Sequence, residues 1–234
     1  MRFATSFRAG FLSAWGGARV RAIVATMVGA LAFAVLIALL ERGGGRAGAA
    51  DRALATCFRL LVPLSVAALT TLALGPRNLR DATWPVARFG HSKSAVALGQ
   101  LGLATALGAV TTLAVVLIAV LVTHATAGAS ASSLSLGHDL FTSGWIAVLV
   151  GASYAAWLTA GATFGKRGGG RGVVLILDFV VGDAGSFGGI MPRGVAYNLI
   201  GHDAAMDLGQ RAASAIGLAA VVLLWALVAL RCRD

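Results

Sequence analysis

From Ala22 to Leu40 the chain runs nineteen residues without a charge, and no other feature limits the possible folds so tightly. A helix rises about 1.5 Å per residue and a bilayer's hydrocarbon is about 30 Å thick, so an apolar run of about 20 residues matches one crossing. The span is read as Val20 to Leu40, with Arg21 in its first turn. The run does not stand alone: Ala95 to Val122 is broken only by Gln100 and a few threonines, and Ile146 to Phe164 and Ala212 to Leu230 carry no charge. Leu60 to Leu74 is short, but starting near Ala53 it reaches span length with Arg59 inside it. Gly172 to Met191 holds Asp178 and Asp183 and reads as a weak, broken span.

The expected fold is therefore all-α, a polytopic integral membrane protein of six transmembrane helices in one domain, residues 1–234. Composition agrees, with 58% hydrophobic and 12% charged residues, where a soluble domain carries about 25% charged. The first apolar run is too long for the core of a signal peptide and is expected to stay in the mature chain.

Orientation follows from basic residues, which favour cytoplasmic loops. With the N-terminus inside, 13 of the 19 Lys and Arg are cytoplasmic, five lie outside, and Arg59 lies within a span. Both termini are thus expected in the cytoplasm. The net charge of +10 becomes mostly a topology signal, with a secondary affinity for anionic membrane lipids. Nucleic-acid binding would need a folded, soluble basic face, which a chain of this composition does not offer.

The polar segments carry the remaining information. Phe3, Phe7, Phe11 and Trp15 recur every fourth residue beside Arg2, Arg8 and Arg19, a pattern for an interfacial helix over residues 1–18. Residues 76–100 are too long for a tight turn. Thr83 at an N-cap with Pro85 in the first turn would start a short amphipathic helix carrying Trp84, Val86 and Phe89 among Arg80, Arg88 and Lys93. A plain basic loop anchored by Trp84 fits equally well. GKRGGGRG, residues 165–172, suggests a phosphate-binding loop, but Gly161 to Lys166 is one residue short of that pattern and Arg167 replaces its Ser or Thr. It is read as a tight cytoplasmic turn.

On the outer side, THATAGASASSLSLGHD reads as a flexible connector. His124 and His138 at its ends lack the carboxylates a metal centre would need, so no metal site is expected. Residues 182–211 are too long and apolar for a loop. Pro192 and several charges break them, so a re-entrant outer segment over 183–211 is expected, sheltered from lipid because its free backbone groups need partners. Arg59 and Asp178 are costly inside spans. Snorkelling or structural pairing suits Arg59, while structural and functional roles are balanced for Asp178. Cys57 and Cys232 fall toward opposite faces, which argues against a disulfide. No catalytic triad, carboxylate pair or zinc pattern occurs, so no enzyme activity is expected of the chain alone.

Trp84-Pro-Val-Ala-Arg-Phe-Gly-His-Ser-Lys93 followed by Leu98-Gly-Gln100, the stretch 161–182, and Pro192-Arg193 with Asn198-Leu-Ile-Gly201 resemble the membrane subunit of an ABC-2 type ABC transporter. The resemblance implies a bacterial inner-membrane permease that dimerises and docks on a separate ATP-binding subunit. Residues 76–94, above all Arg80, Asp81, Trp84, Val86, Arg88 and Phe89, would form the coupling segment. It implies outer re-entrant positions at Pro192, Arg193, Asn198 and Gly201; the pathway or intramembrane polar candidates, Arg59, Asp178 and Asp183, come from the cost of charge within spans. No ATPase motif is present, so ATP and Mg would sit on the partner, with no cofactor on this chain. An ATPase-independent transporter or channel, or a membrane scaffold for such an ATPase, are the competing readings.

Overall fold

A computed structural model describes residues 3–13, 15–43, 48–127, 135–182, 188–201 and 209–233. Among them the chain is all-helical, and five helices are long and apolar enough to cross a membrane. Helix α1 (Phe3–Ser13) leads into α2 (Gly17–Gly43). Next, α3 (Ala49–Thr56), a π-turn (Cys57–Leu61) and α4 (Val62–Leu74) form one continuous rod. A short α5 (Leu79–Ala87) precedes the long α6 (Lys93–Ala127) and α7 (Leu136–Gly161). The chain ends with α8 (Gly170–Val181), α9 (Pro192–Ile200) and α10 (Gln210–Arg231).

On two helices small residues supply much of the buried face and large apolar residues the exposed one. On α2, Ile23, Ala30, Ala34 and Ala38 are buried, while Val24, Val28, Phe33, Leu36 and Leu40 face out. On α10, Ala213, Gly217, Ala220, Leu224 and Val228 are buried and Leu218, Val222 and Leu223 are exposed. Small residues let helix backbones approach where lipid supplies no hydrophobic drive, and large apolar side chains are left to face the acyl chains. This pattern is compatible with an integral membrane protein and costly for one in water.

Helix α6 is the hub, packing against α1, α2, α4, α7 and α10. It crosses α7 at close range. A Cβ added at Gly108 would lie 2.7 Å from the Gly151 carbonyl oxygen, and one at Gly151 would lie 2.5 Å from the Gly108 oxygen. Backbone touches backbone there, and the largest hydrophobic cluster, with Phe58, Val66, Val116, Val150 and Tyr154, surrounds the crossing. Helix α1 docks on α6 through its small edge, with Ser6 and Gly10 buried and Phe3 and Trp15 exposed. The aromatic stripe is split: Phe3 and Trp15 are exposed, while Phe11 packs against the cluster of Ile23, Leu69 and Leu103 and Phe7 meets α6 at Gly102.

Pro63 accounts for the π-turn. It has no N–H to give the carbonyl four residues back, that of Arg59, and its ring crowds the same carbonyl. The helix widens across Cys57–Leu61, where the Val62 N–H reaches the Cys57 oxygen, five residues back, and so passes the proline without breaking.

Gly172 to Met191, expected to be weak and broken, holds no span-length helix among the described residues: α8 has 12 residues, about 18 Å of rise, and α9 is a separate helix of nine. In the described part of the outer segment, Pro192 through Leu199 are all buried. The helix expected from Thr83 starts earlier, at Leu79. Asn78 caps it by accepting from the Arg80 N–H at 3.0 Å, Thr83 instead donates to the Arg80 carbonyl at 2.7 Å, and Pro85 lies inside the helix. Cys57 and Cys232 are buried free thiols.

Candidate functional site

Two polar assemblies stand out against the apolar bundle, and the glycine-rich turn lies between them. The first surrounds α5. Leu79 and Thr83 are its buried anchors, while Arg80, Asp81, Trp84, Arg88 and Phe89 are exposed and Val86 is half-buried. Trp84 and Phe89 expose 59% and 67% of their surface, unusual for large aromatics. A cation covers each ring: Lys93 Nζ lies 5.7 Å from the Trp84 centroid and the Arg88 guanidinium 4.8 Å from that of Phe89. The sequence reading missed the C-terminus, which joins this surface. Arg80 Nε donates to the Arg231 carbonyl, and a cleft of about 360 Å³ is lined by Arg80, Asp81, Thr83, Trp84, Lys93, Cys232 and Arg233. Burial pushes the Cys232 thiol up to about 11, against the lowering effect of Arg80 and Arg231.

The glycine-rich turn clasps the base of α5. The Leu79 N–H donates to the Ala162 oxygen at 3.0 Å and Asn78 Nδ2 to the Gly165 oxygen at 2.9 Å. From the far side of the turn, buried Arg171 donates to the Gly75 and Arg77 carbonyls at 2.8 and 3.1 Å. Gly168, at φ +68°, lies so close to the chain that an added Cβ would fall 2.8 Å from the Arg77 oxygen. GKRGGGRG thus holds peptide groups of its own chain where a phosphate loop would hold an anion.

The second assembly is interior. Asp178, near the end of α8, is 1% exposed, and Arg193, at the start of α9, is 3% exposed. One Asp178 oxygen accepts the Tyr154 hydroxyl proton at 2.7 Å, and the other accepts the Arg193 backbone N–H at 3.0 Å. The carboxylate therefore meets the first turn of α9, where free N–H groups and the helix dipole favour negative charge. Pro192 precedes it at the first helical position, where its missing N–H costs nothing. The Arg193 side chain donates to the Tyr197 hydroxyl at 3.3 Å and to the Phe179 carbonyl at 3.2 Å. Its guanidinium lies 5.4 Å from both the Phe179 and the Tyr197 ring centroids. Asn198 donates back to the Gly194 carbonyl at 2.8 Å, and Gly201 ends α9 in the left-handed conformation at φ +66°.

Of the intramembrane candidates, Asp178 and Arg193 come together, Arg59 stands apart on the π-turn, and Asp183 lies outside the described residues. For Arg59, expected to snorkel or to pair, no pairing partner is found among the described residues, and the residue is exposed. Tyr154 and Tyr197 were missed by the sequence reading. One signal could have found them: the chain has two tyrosines, and both are in this assembly. His124 pairs with Asp139 at 2.8 Å rather than with His138. Among the described residues no cluster of three or more His, Cys, Asp or Glu could hold a metal.

Chemically, the interior assembly is a clamp. An ionised carboxylate and a guanidinium survive burial only when both are hydrogen-bonded, and here their partners belong to α7, α8 and α9. No family model, curated protein or solved structure matches the chain.

Proposed function

We propose that the chain is the permease subunit of an ATP-driven exporter of the ABC-2 type. It would dimerise in the bacterial inner membrane and dock through α5 on a separate ATPase that carries ATP and Mg. Both termini would be cytoplasmic, and α8 and α9 would together make the sixth, broken crossing. The observation that carries this reading is the exposure of Trp84 and Phe89, each beside a cation, on a short helix that the glycine-rich turn ties to α8. A helix with no partner would leave two large aromatics in the headgroup zone, whereas a partner would bury them as anchors.

Motion follows the same connections. Closure of the ATPase would push α5, the clasp would pass the push to α8, and the Asp178 clamp would carry it to α9. A carrier working without an ATPase would need Asp178 to exchange partners during transport, and a carboxylate held on both oxygens by Tyr154 and Arg193 suits a fixed joint better. Substitution of Trp84→Cys tests the docking: a thiol crosslinker should join this position to an ABC-type ATPase in native membranes. Crosslinking to lipid-phase reagents alone, with no ATPase adduct, would oppose the reading.

A further inference from the structure

Arg59 lies on the π-turn, exposed, next to the exposed Leu60 and five residues before the exposed Leu64. Among the described residues its guanidinium has no hydrogen-bond or ion-pair partner. A lone cation on an apolar helix face is expensive, and the fold provides a place for it. A cleft of about 310 Å³ is lined by Glu41, Asp51, Arg52, Ala55, Thr56, Arg59 and Tyr197. Its other charges are mostly committed. Glu41 accepts from Thr56 Oγ1 at 2.9 Å and faces Arg52 Nε at 3.6 Å, and Arg52 also donates to the Glu41 carbonyl at 3.0 Å.

Asp51 sits eight residues before Arg59, about 12 Å along the helix axis. The cleft therefore keeps its uncommitted cation, Arg59, well apart from the Asp51 carboxylate. We infer that this cleft binds a phosphate group, with Arg59 as its principal ligand and Thr56 and the Tyr197 edge beside it. Guanidinium and phosphate match in shape and hydrogen-bonding geometry. Asp51 opposes a multiply charged free anion, and Leu60 and Leu64 provide an apolar flank for acyl chains, so a phosphodiester lipid headgroup fits better than inorganic phosphate. Tyr197 links the cleft to the interior clamp, because its hydroxyl also accepts from Arg193.

The test uses the full chain in nonionic detergent and reads the thermal unfolding midpoint during three titrations. The probes are phosphatidylethanolamine, diacylglycerol with the same acyl chains, and inorganic phosphate. The first lipid carries no net charge, so bulk attraction to a basic protein does not confound the result. Phosphatidylethanolamine should raise the midpoint and diacylglycerol should not. Arg59→Gln should need about tenfold more lipid for the same rise, as expected for one charge-assisted contact. Arg59→Lys should fall between, and Arg8→Gln, on exposed α1, should titrate like wild type. A rise with inorganic phosphate alone, also lost in Arg59→Gln, would support the site and name the free anion as its source. Identical titrations of wild type and Arg59→Gln with both phosphate sources would overturn the inference, as would an equal rise with diacylglycerol.

Discussion

Tyr154 on α7 donates its hydroxyl proton to Asp178 on α8 across 2.7 Å, and the same carboxylate takes the first N–H of α9. One side chain therefore joins three helices. Asp178→Asn keeps the shape but removes the charge from a buried group that accepts two hydrogen bonds, and should cost about 1.5–3 kcal/mol. Tyr154→Phe removes one interhelical hydrogen bond and should cost about 1 kcal/mol. Unfolding midpoints in detergent check both. If the two substitutions act through one contact, their effects will be less than additive in the double variant.

Gly108 and Gly151 make a backbone-to-backbone helix contact, and neither has room for a side chain. Gly108→Val should destabilise by about 1–3 kcal/mol through overpacking. Gly137→Ala, with nothing within 4 Å of the added atom, should stay within about 0.5 kcal/mol of wild type.

In the glycine-rich turn, Gly168→Ala should cost more than Gly169→Ala. The first places a Cβ in the left-handed region against the Arg77 carbonyl. The second has φ −60° and a nearest neighbour at 3.4 Å. A left-handed non-glycine residue alone costs about 1–2 kcal/mol, and thermal unfolding of the two variants gives the comparison.

Cys232 supplies a chemical test. Its thiol is 2% exposed and pushed up to about 11, so at pH 8 the reactive thiolate is scarce. An unperturbed thiol titrates near 8.5, and the difference predicts maleimide labelling roughly a hundredfold slower in the folded chain than in the denatured one. Labelling should quicken as pH rises toward 11. A Cys57→Ala background isolates the signal, and fast labelling of the folded chain at pH 8 would contradict the packing of the C-terminus against α5.

The long helices were readable because a membrane crossing has one dominant requirement. The apolar runs beginning at Val20, Ala95, Ile146 and Ala212 each became the core of a helix. Features that depend on choices between similar chemistries were less accessible. Asn78 and Thr83 are both competent N-caps, and Pro85 pointed to the later one because it suits a first helical turn. The break between α8 and α9 was visible as weakness in Gly172 to Met191. Its purpose was not, because the groups that satisfy Asp178 come from residues 24 positions before it and 15 after it. Local pattern carries no record of such pairings. GKRGGGRG was readable as a turn, but not the peptide groups it holds, since glycines that admit a phosphate also admit another stretch of backbone.

Purification of the chain in mild detergent from its native membrane tests the central proposal most directly. An ABC-type ATP-binding subunit should copurify in stoichiometric amount, and Trp84→Ala combined with Arg88→Glu should release it while leaving the unfolding midpoint of the chain unchanged. Recovery of a folded chain with no ATPase, or retention of the ATPase by the double variant at wild-type level, would contradict docking through α5.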